Sequence, residues 1–412
     1  MEATFVILFS IATLVAIVAR RAHLPYTVAL VAVGLAVGAL NIVEAPHLTK
    51  ELLFAVFLPG LVFEAAYNIH ARELRSMWRT IATLAVPGVI VAIGLTCLLT
   101  TVSFQLLGLE PGLTWRYALV FAALVVATDP IAVVSLFRDM GVPARLTTMI
   151  EAESLFNDGT AIVVLSLVLA YVGGATTSLA GLSLQFAMVI GGGVLVGLCF
   201  GAGLARVSKQ LDDAMIEITL TTIAAYGSFV AAERLHLSGV IATVTAGLVL
   251  GTYGREVAMS PTTRAGVDAF WEYTAFALNS VVFLLIGFEV RPAGLLTVAV
   301  PVVVAFLVVV VSRMGVVFAV ATAFRRTSER ISPAWAAALT WGGLRGGLSM
   351  VLALALPDSF PMRGLLIDMT FGVVLLSLML QGLSMRRFVR RIGVGGANPP
   401  PSVPDAARAP SH

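Results

Sequence analysis

Long apolar runs recur along almost the whole of this 412-residue sequence. Each run is about 20 residues long, which is the length of a helix that crosses a hydrocarbon core of about 30 Å. Charged residues make up only 12% of the chain, whereas soluble globular chains carry about 25%. The sequence therefore predicts an all-α polytopic membrane protein, with lipid around most of its surface.

The apolar runs predict thirteen transmembrane helices in one transmembrane unit that covers residues 1–391. The predicted spans are 3–19, 24–43, 48–69, 80–107, 114–137, 148–172, 179–205, 214–233, 238–253, 269–289, 294–324, 332–356 and 364–385. Residues 392–412 are rich in Pro, Gly and Ala, which favours a disordered cytoplasmic tail.

Basic residues test this map, because Lys and Arg collect in the cytoplasmic loops of membrane proteins. With thirteen spans, nineteen of them fall on one side and five on the other, and Arg313 and Arg345 lie inside the membrane. The asymmetry predicts an N-terminus outside the cell and a C-terminus in the cytoplasm, and the expected location is the plasma membrane, which in a bacterium is the inner membrane. An odd number of spans follows from that orientation.

Ionisable side chains at membrane depth cost several kcal/mol, so each one indicates a function or a partner. Asp158 lies ten residues into the sixth span, close to the midplane, and Arg345 reaches a similar depth in the twelfth. Arg313 lies nearer a predicted helix end, where a long side chain can reach the interface, so no role is predicted for it. The other carboxylates at depth are Glu64, Asp129 and Glu153.

Two spans contain sequences that interrupt a helix. Span five carries Thr128, Asp129 and Pro130, and proline removes a backbone donor and disfavours helix at the residue before it. Span twelve carries four glycines around Arg345 in the segment 342–347. If span seven links two six-helix repeats, the breaks occupy corresponding positions, which indicates a transporter with inverted repeats and a midplane site.

Oxygen-bearing side chains collect around Asp158. Residues four apart share a helical face, which places Ser154 beneath Asp158 and Glu153 beneath Asn157. Carboxylate, hydroxyl, carbonyl and amide oxygens suit a hard monovalent cation. Two interpretations stay open for Asp129, as an ion-site residue or as a stabiliser of half-helix N-termini.

Two further pairs of interpretations concern the remaining charges. Glu64 is either an ion ligand or a helix-contact carboxylate. Glu153 and Arg345 are expected to form an ion pair that holds two helices together, in preference to a direct part in transport.

Four segments of the sequence resemble the motifs of a known protein family. They are LPGLVFEAA around Glu64, ATDPIAVV around Asp129, EAESLFNDGTAIVV around Asp158 and TWGGLRGGLSMVLAL around Arg345. Together they resemble the NhaP-type sodium/proton antiporters, which are monovalent cation:proton antiporters related to animal sodium/proton exchangers. The resemblance extends from the first span to the thirteenth, and one visible departure is Ala152, where glycine is more usual.

The resemblance implies a homodimer of protomers with two parts. Spans 1–3 and 7–10 would form the dimerisation part, and spans 4–6 and 11–13 a moving core with unwound, crossed helices five and twelve. Asn157 stands where the electrogenic branch of the family has a second aspartate, which implies electroneutral one-for-one exchange. The implied ion and proton site consists of Asp158 as carrier with Asn157, Ser154, the Thr128 backbone and Glu64, and all of these except Asn157 are expected to be ligands of the cation. Asp129 and a Glu153–Arg345 bridge would support the site.

The predicted function is exchange of Na⁺ or Li⁺ for H⁺ by a secondary transporter that serves pH homeostasis. Cation and proton would compete for Asp158, and alternating access would carry both across the membrane. The transported ions are the only bound species expected, with no cofactor, nucleotide or nucleic acid. The sequence offers no Ser/His pair or HExxH motif, so no enzyme is predicted. The alternatives are a K⁺/H⁺ antiporter, an organic-solute symporter of related fold, and a cation channel.

Overall fold

The computed structural model describes residues 2–22, 25–40, 52–174, 178–290 and 292–395. All regular secondary structure in these ranges is helical. Within these ranges, seven helices are long and apolar enough to cross a membrane, and a bent pair makes an eighth. Four shorter apolar helices accompany them. The predicted all-α polytopic fold is therefore confirmed.

The first half of the chain ends with the helix that carries Asp158. Its helices are α1 (Glu2–Ala22), α2 (Tyr26–Ala39), α3 (Leu58–Asn68), α4 (Ala71–Ser76), α5 (Trp78–Leu107), α6 (Trp115–Val125), α7 (Ile131–Asp139) and α8 (Ala144–Val172). A π-helical turn at Leu53–Phe57 leads into α3.

The second half of the chain contains the bent pair of helices, Pro333–Gly342 and Gly347–Leu354. Its helices are α9 (Leu179–Ser208), α10 (Ala214–Arg234), α11 (Gly239–Val249), α12 (Pro261–Glu289), α13 (Pro292–Thr297), α14 (Ala299–Ala323), α15 (Pro333–Gly342), α16 (Gly347–Leu354) and α17 (Arg363–Arg391). A π-helical segment, Leu250–Ala258, extends α11.

Helix lies in every predicted span, but several ends were predicted wrongly. Helix α12 begins at Pro261, not at residue 269, and the Ser260 hydroxyl caps it by accepting the Thr263 N–H. Helix α17 continues to Arg391, beyond the predicted end at 385. Hydropathy marks only the apolar part of a helix, and both extensions carry charged residues. The start of the third span at 48 and the predicted tail from residue 396 onward lie outside the described residues.

Both predicted helix breaks are confirmed. Residues 126–130 separate α6 from α7, and residues 343–346 separate α15 from α16, which bend by 42°. Pro130 is the residue immediately before α7. Each break leaves backbone carbonyls without their intrahelical donors, so other groups must satisfy them at this depth.

The helices pack in two groups around these breaks. In one group α2 lies along α12, and α11 packs against both α3 and α9. In the other α5 packs against α6 and α14, and α14 packs against α17. Helices α2 and α12 approach so closely that a Cβ at Gly34 would collide with the backbone of α12, and a Cβ at Gly287 with the backbone of α2. The division of the spans into a dimerisation part and a moving core stays a prediction.

Candidate functional site

The two helix breaks meet. The Asp129 N–H donates a hydrogen bond to the Leu344 carbonyl at 2.8 Å, so the backbones of the two breaks are joined directly. Gly346 lies against the Asp129 side chain, where a Cβ would collide with it. The Ile131 N–H donates to Asp129 Oδ1 at 3.1 Å. This carboxylate therefore caps the first turn of α7, which is the position that a stabiliser of a half-helix N-terminus requires.

The crossing gives a prediction for Gly346, whose φ of −130° and ψ of −163° are open to any residue. Gly346→Ala should lower the melting temperature and weaken transport, because the new methyl group forces α16 away from Asp129. Overpacking of this kind costs about 1–3 kcal/mol. Melting of the purified protein checks it.

Gly94→Ala is the matched control, because Gly94 is exposed on α5 and has open space where the Cβ would go. An Ala at position 94 should leave melting unchanged or raise it slightly. Equal melting temperatures for the two variants would contradict the close contact between the breaks.

Arg345 satisfies the carbonyls of the first break. Its Nη1 donates to the carbonyls of Val126 and Ala127, the latter at 3.2 Å. The backbone N–H of Arg345 donates to the Ser377 hydroxyl at 3.0 Å, and this hydrogen bond fixes the second break to α17. The buried guanidinium thus replaces helical donors that the interruption of α6 removes.

Glu153 pairs with Arg313, and the predicted Glu153–Arg345 bridge is wrong. Arg313 Nη1 and Nη2 donate to the two Glu153 carboxylate oxygens at 3.0 and 2.9 Å. Both side chains are largely buried, at 2% exposure for Glu153 and 11% for Arg313. Arg313 also donates to the Leu339 carbonyl at the end of α15. The expectation that Arg313 has no role is therefore wrong as well.

Hydrogen bonds hold α8 against the first break beside Asp158. Ser154 Oγ donates to the Thr128 carbonyl, and the Thr128 hydroxyl donates to Ser154 Oγ at 3.2 Å. Asn157 Nδ2 donates to the Val126 carbonyl and to Thr128 Oγ1, both at 3.3 Å. Asp158 Oδ1 is buried and makes no hydrogen bond to any residue that the structure describes. Its Oδ1 is thus free to bind an ion at the crossing.

A cavity of about 490 Å³ brings most of the predicted site together. On its wall Asn68 Nδ2 donates to Glu64 Oε1 at 2.8 Å. The cavity extends to the Arg138–Glu151 ion pair, whose Nη2–Oε1 distance is 2.7 Å. The predicted residues that line it are Glu64, Thr128, Asp129, Ser154 and Asp158.

Asn157, Glu153 and Arg345 lie elsewhere, around a much smaller cavity of about 20 Å³ that Arg313 also lines. The structure therefore divides the predicted site residues between two neighbouring cavities. Arg313 could have been found from the sequence, because a lone arginine inside a long apolar helix normally has a partner. Arg313 lies near the middle of α14 (Ala299–Ala323), and the predicted span 294–324 already placed it far from both ends, so the prediction that it lies near a helix end was wrong.

Two discontinuous helices that cross beside a buried carboxylate define a class of protein, the secondary transporters with a site near the middle of the membrane. Residues 7–391 match the family model described as "Sodium/hydrogen exchanger, transmembrane". The chain belongs to this family, and the resemblance found in the sequence is confirmed.

Sequence and fold similarity to individual antiporters supports this family membership. The chain is 38% identical over 396 residues to the low-affinity Na⁺/H⁺ antiporter NhaS1 of Synechocystis, covering 95% of this chain and 74% of that one. It is 39% identical over 355 residues to the Na⁺/H⁺ antiporter NhaP of Pseudomonas aeruginosa, covering 84% and 82%. The fold is similar to that of the sodium proton antiporter MjNhaP1 from Methanocaldococcus jannaschii, with a TM-score of 0.77 at 19% identity and coverage of 96% and 99%.

Proposed function

We propose that this chain exchanges Na⁺ for H⁺ across the membrane, with Asp158 as the site that both ions share. One observation carries the proposal: Asp158 lies at the crossing with a buried Oδ1 that no described residue engages, on the wall of the large cavity. The named functions of the bacterial relatives, Na⁺/H⁺ antiport, support the same substrates.

Competition between the two ions follows from where the carboxylate lies. An ionised carboxylate at membrane depth costs several kcal/mol unless a counter-charge accompanies it. A bound proton or a bound cation each removes that cost, and a single carboxylate does not hold both. Ser154, the Thr128 carbonyl and Glu64 line the same cavity and supply the further oxygens that a hard cation requires.

Two neutralised or uncharged neighbours of Asp158 support one-for-one, electroneutral exchange. Glu153 is neutralised by Arg313, and Asn157 carries an uncharged amide engaged with the backbone of the break. Asp158 is then the group that changes its ligand during the cycle, and it is neutral with either one. Both halves of the cycle therefore move the core with the same net charge.

Alternating access completes the proposal. The large cavity reaches Arg138 and Asp139 at the end of α7, on the side to which most Lys and Arg residues map, and this supports a cytoplasm-facing state for the described conformation. Movement of the group that contains the two breaks against the group of α2, α3, α11 and α12 would expose Asp158 to the other side. The second group would form the interface of a homodimer.

Reconstituted vesicles test the proposal. A trapped pH dye should report proton movement when Na⁺ is added, at the same rate with and without a clamped membrane potential. A response to K⁺ alone would establish the K⁺/H⁺ alternative, and a current that persists without a proton gradient would indicate a channel. Failure of Na⁺, Li⁺ and K⁺ alike would overturn the proposal in favour of organic-solute transport.

A further inference from the structure

A second cavity lies close to the ion site, since it is lined by Asn157, the residue before Asp158 in α8. It has a volume of about 20 Å³ and is lined by Glu153, Asn157, Arg313 and Arg345 together with apolar side chains. A buried cavity needs about 10–15 Å³ to hold one water molecule. We propose that this cavity is the site of a single structural water, which connects Asn157 to the charged cluster.

The first argument is an unsatisfied acceptor. Asn157 is 1% exposed, and its Oδ1 makes no hydrogen bond to any residue in the described ranges. The amide is not simply reversed, since its Nδ2 donates to the Val126 carbonyl and to Thr128 Oγ1. A buried acceptor left without a donor costs about 1–3 kcal/mol. A donor in the adjacent cavity removes that cost.

The second argument is the chemistry of the walls, which present donors and acceptors together. The guanidinium groups of Arg313 and Arg345 are donors, and the Glu153 carboxylate and Asn157 Oδ1 are acceptors. Water donates two hydrogen bonds and accepts others, so it can donate to Asn157 Oδ1 and Glu153 while accepting from Arg345. The described hydrogen bonds of the Arg345 side chain use Nη1 and leave further N–H groups of the guanidinium for this purpose. Three hydrogen bonds are typical of a buried water.

The water gives Asn157 a positioning role. Its amide nitrogen holds the first break beside Asp158, and its amide oxygen would be held through the water by the cluster that carries Arg345. Asn157 would then link the ion site to the buried charges without touching the transported cation.

Ala92→Val tests the site without altering any polar group. Ala92 lines the small cavity from α5, so two added methyl groups should displace the water. We expect a melting temperature several degrees lower than that of Ala82→Val, the same change at an exposed position of the same helix. A structure of the unaltered protein, at a resolution that shows ordered water, should contain one water within hydrogen-bond distance of Asn157 Oδ1.

Two results would overturn the inference. One is a direct hydrogen bond from Arg345 to Asn157 Oδ1 in that structure, with no water between them. The other is equal melting of the Ala92→Val and Ala82→Val variants. Neither readout uses transport, so the water site can fail while the proposed exchange stands, and the reverse also holds.

Discussion

Asp158→Asn should reduce Na⁺-driven proton movement to the level of protein-free vesicles. Asparagine has almost the same shape, so the packing of α8 against the first break should persist. The amide neither takes up a proton near neutral pH nor offers a negative charge to a cation, so neither half of the cycle can proceed. Dye measurements in vesicles, paired with size-exclusion chromatography and melting of the purified variant, check the expectation.

Asp212→Asn is the control for this change. Asp212 lies in the loop between α9 and α10, where its carboxylate accepts hydrogen bonds from Ser260 and Thr263. These bonds lower the pKa of Asp212, and the variant should transport normally. Normal exchange by folded Asp158→Asn would remove Asp158 from the mechanism.

Arg313→Gln should give the largest loss of stability among single changes at the site. The substitution leaves the Glu153 carboxylate buried without its counter-charge, and breaking a buried ion pair from one side costs about 3–5 kcal/mol. Arg138→Gln is the control, because it breaks the Arg138–Glu151 ion pair, in which the arginine side chain is 60% exposed. That control should cost about 0–1 kcal/mol. Thermal or denaturant unfolding in detergent measures both.

A double variant identifies the true partner of Glu153. Glu153→Gln combined with Arg313→Gln removes both charges together and should recover much of the stability that either single change loses. Glu153→Gln combined with Arg345→Gln should recover little, because Arg345 serves the carbonyls of the first break. Recovery in the Arg345 combination alone would restore the bridge expected from the sequence.

The parts of the site that the sequence predicts well depend on short-range rules. Spacing of four along α8 places Ser154 beneath Asp158, and proline and glycine chemistry places the breaks at 126–130 and 343–346. Both follow from local geometry, so neighbouring residues are enough to find them. The same holds for the apolar runs that predict helices.

The parts that the sequence does not predict depend on how distant helices cross. Glu153 has two arginines within reach of the crossing, 160 and 192 positions further along the chain, and nothing local distinguishes them. The choice is made by the interrupted backbone, whose carbonyls occupy Arg345 and leave Glu153 to Arg313. The ends of α12 and α17 were missed for a simpler reason, since a helix can continue beyond the apolar region.

The hydrogen bond from the Asp129 N–H to the Leu344 carbonyl has a consequence for how this fold can diversify. Every residue type except proline supplies that donor at position 129, and every residue type supplies that acceptor at position 344, so substitutions at these two positions keep the hydrogen bond. Side chains that face the large cavity can therefore be exchanged without loss of this backbone contact between the two breaks.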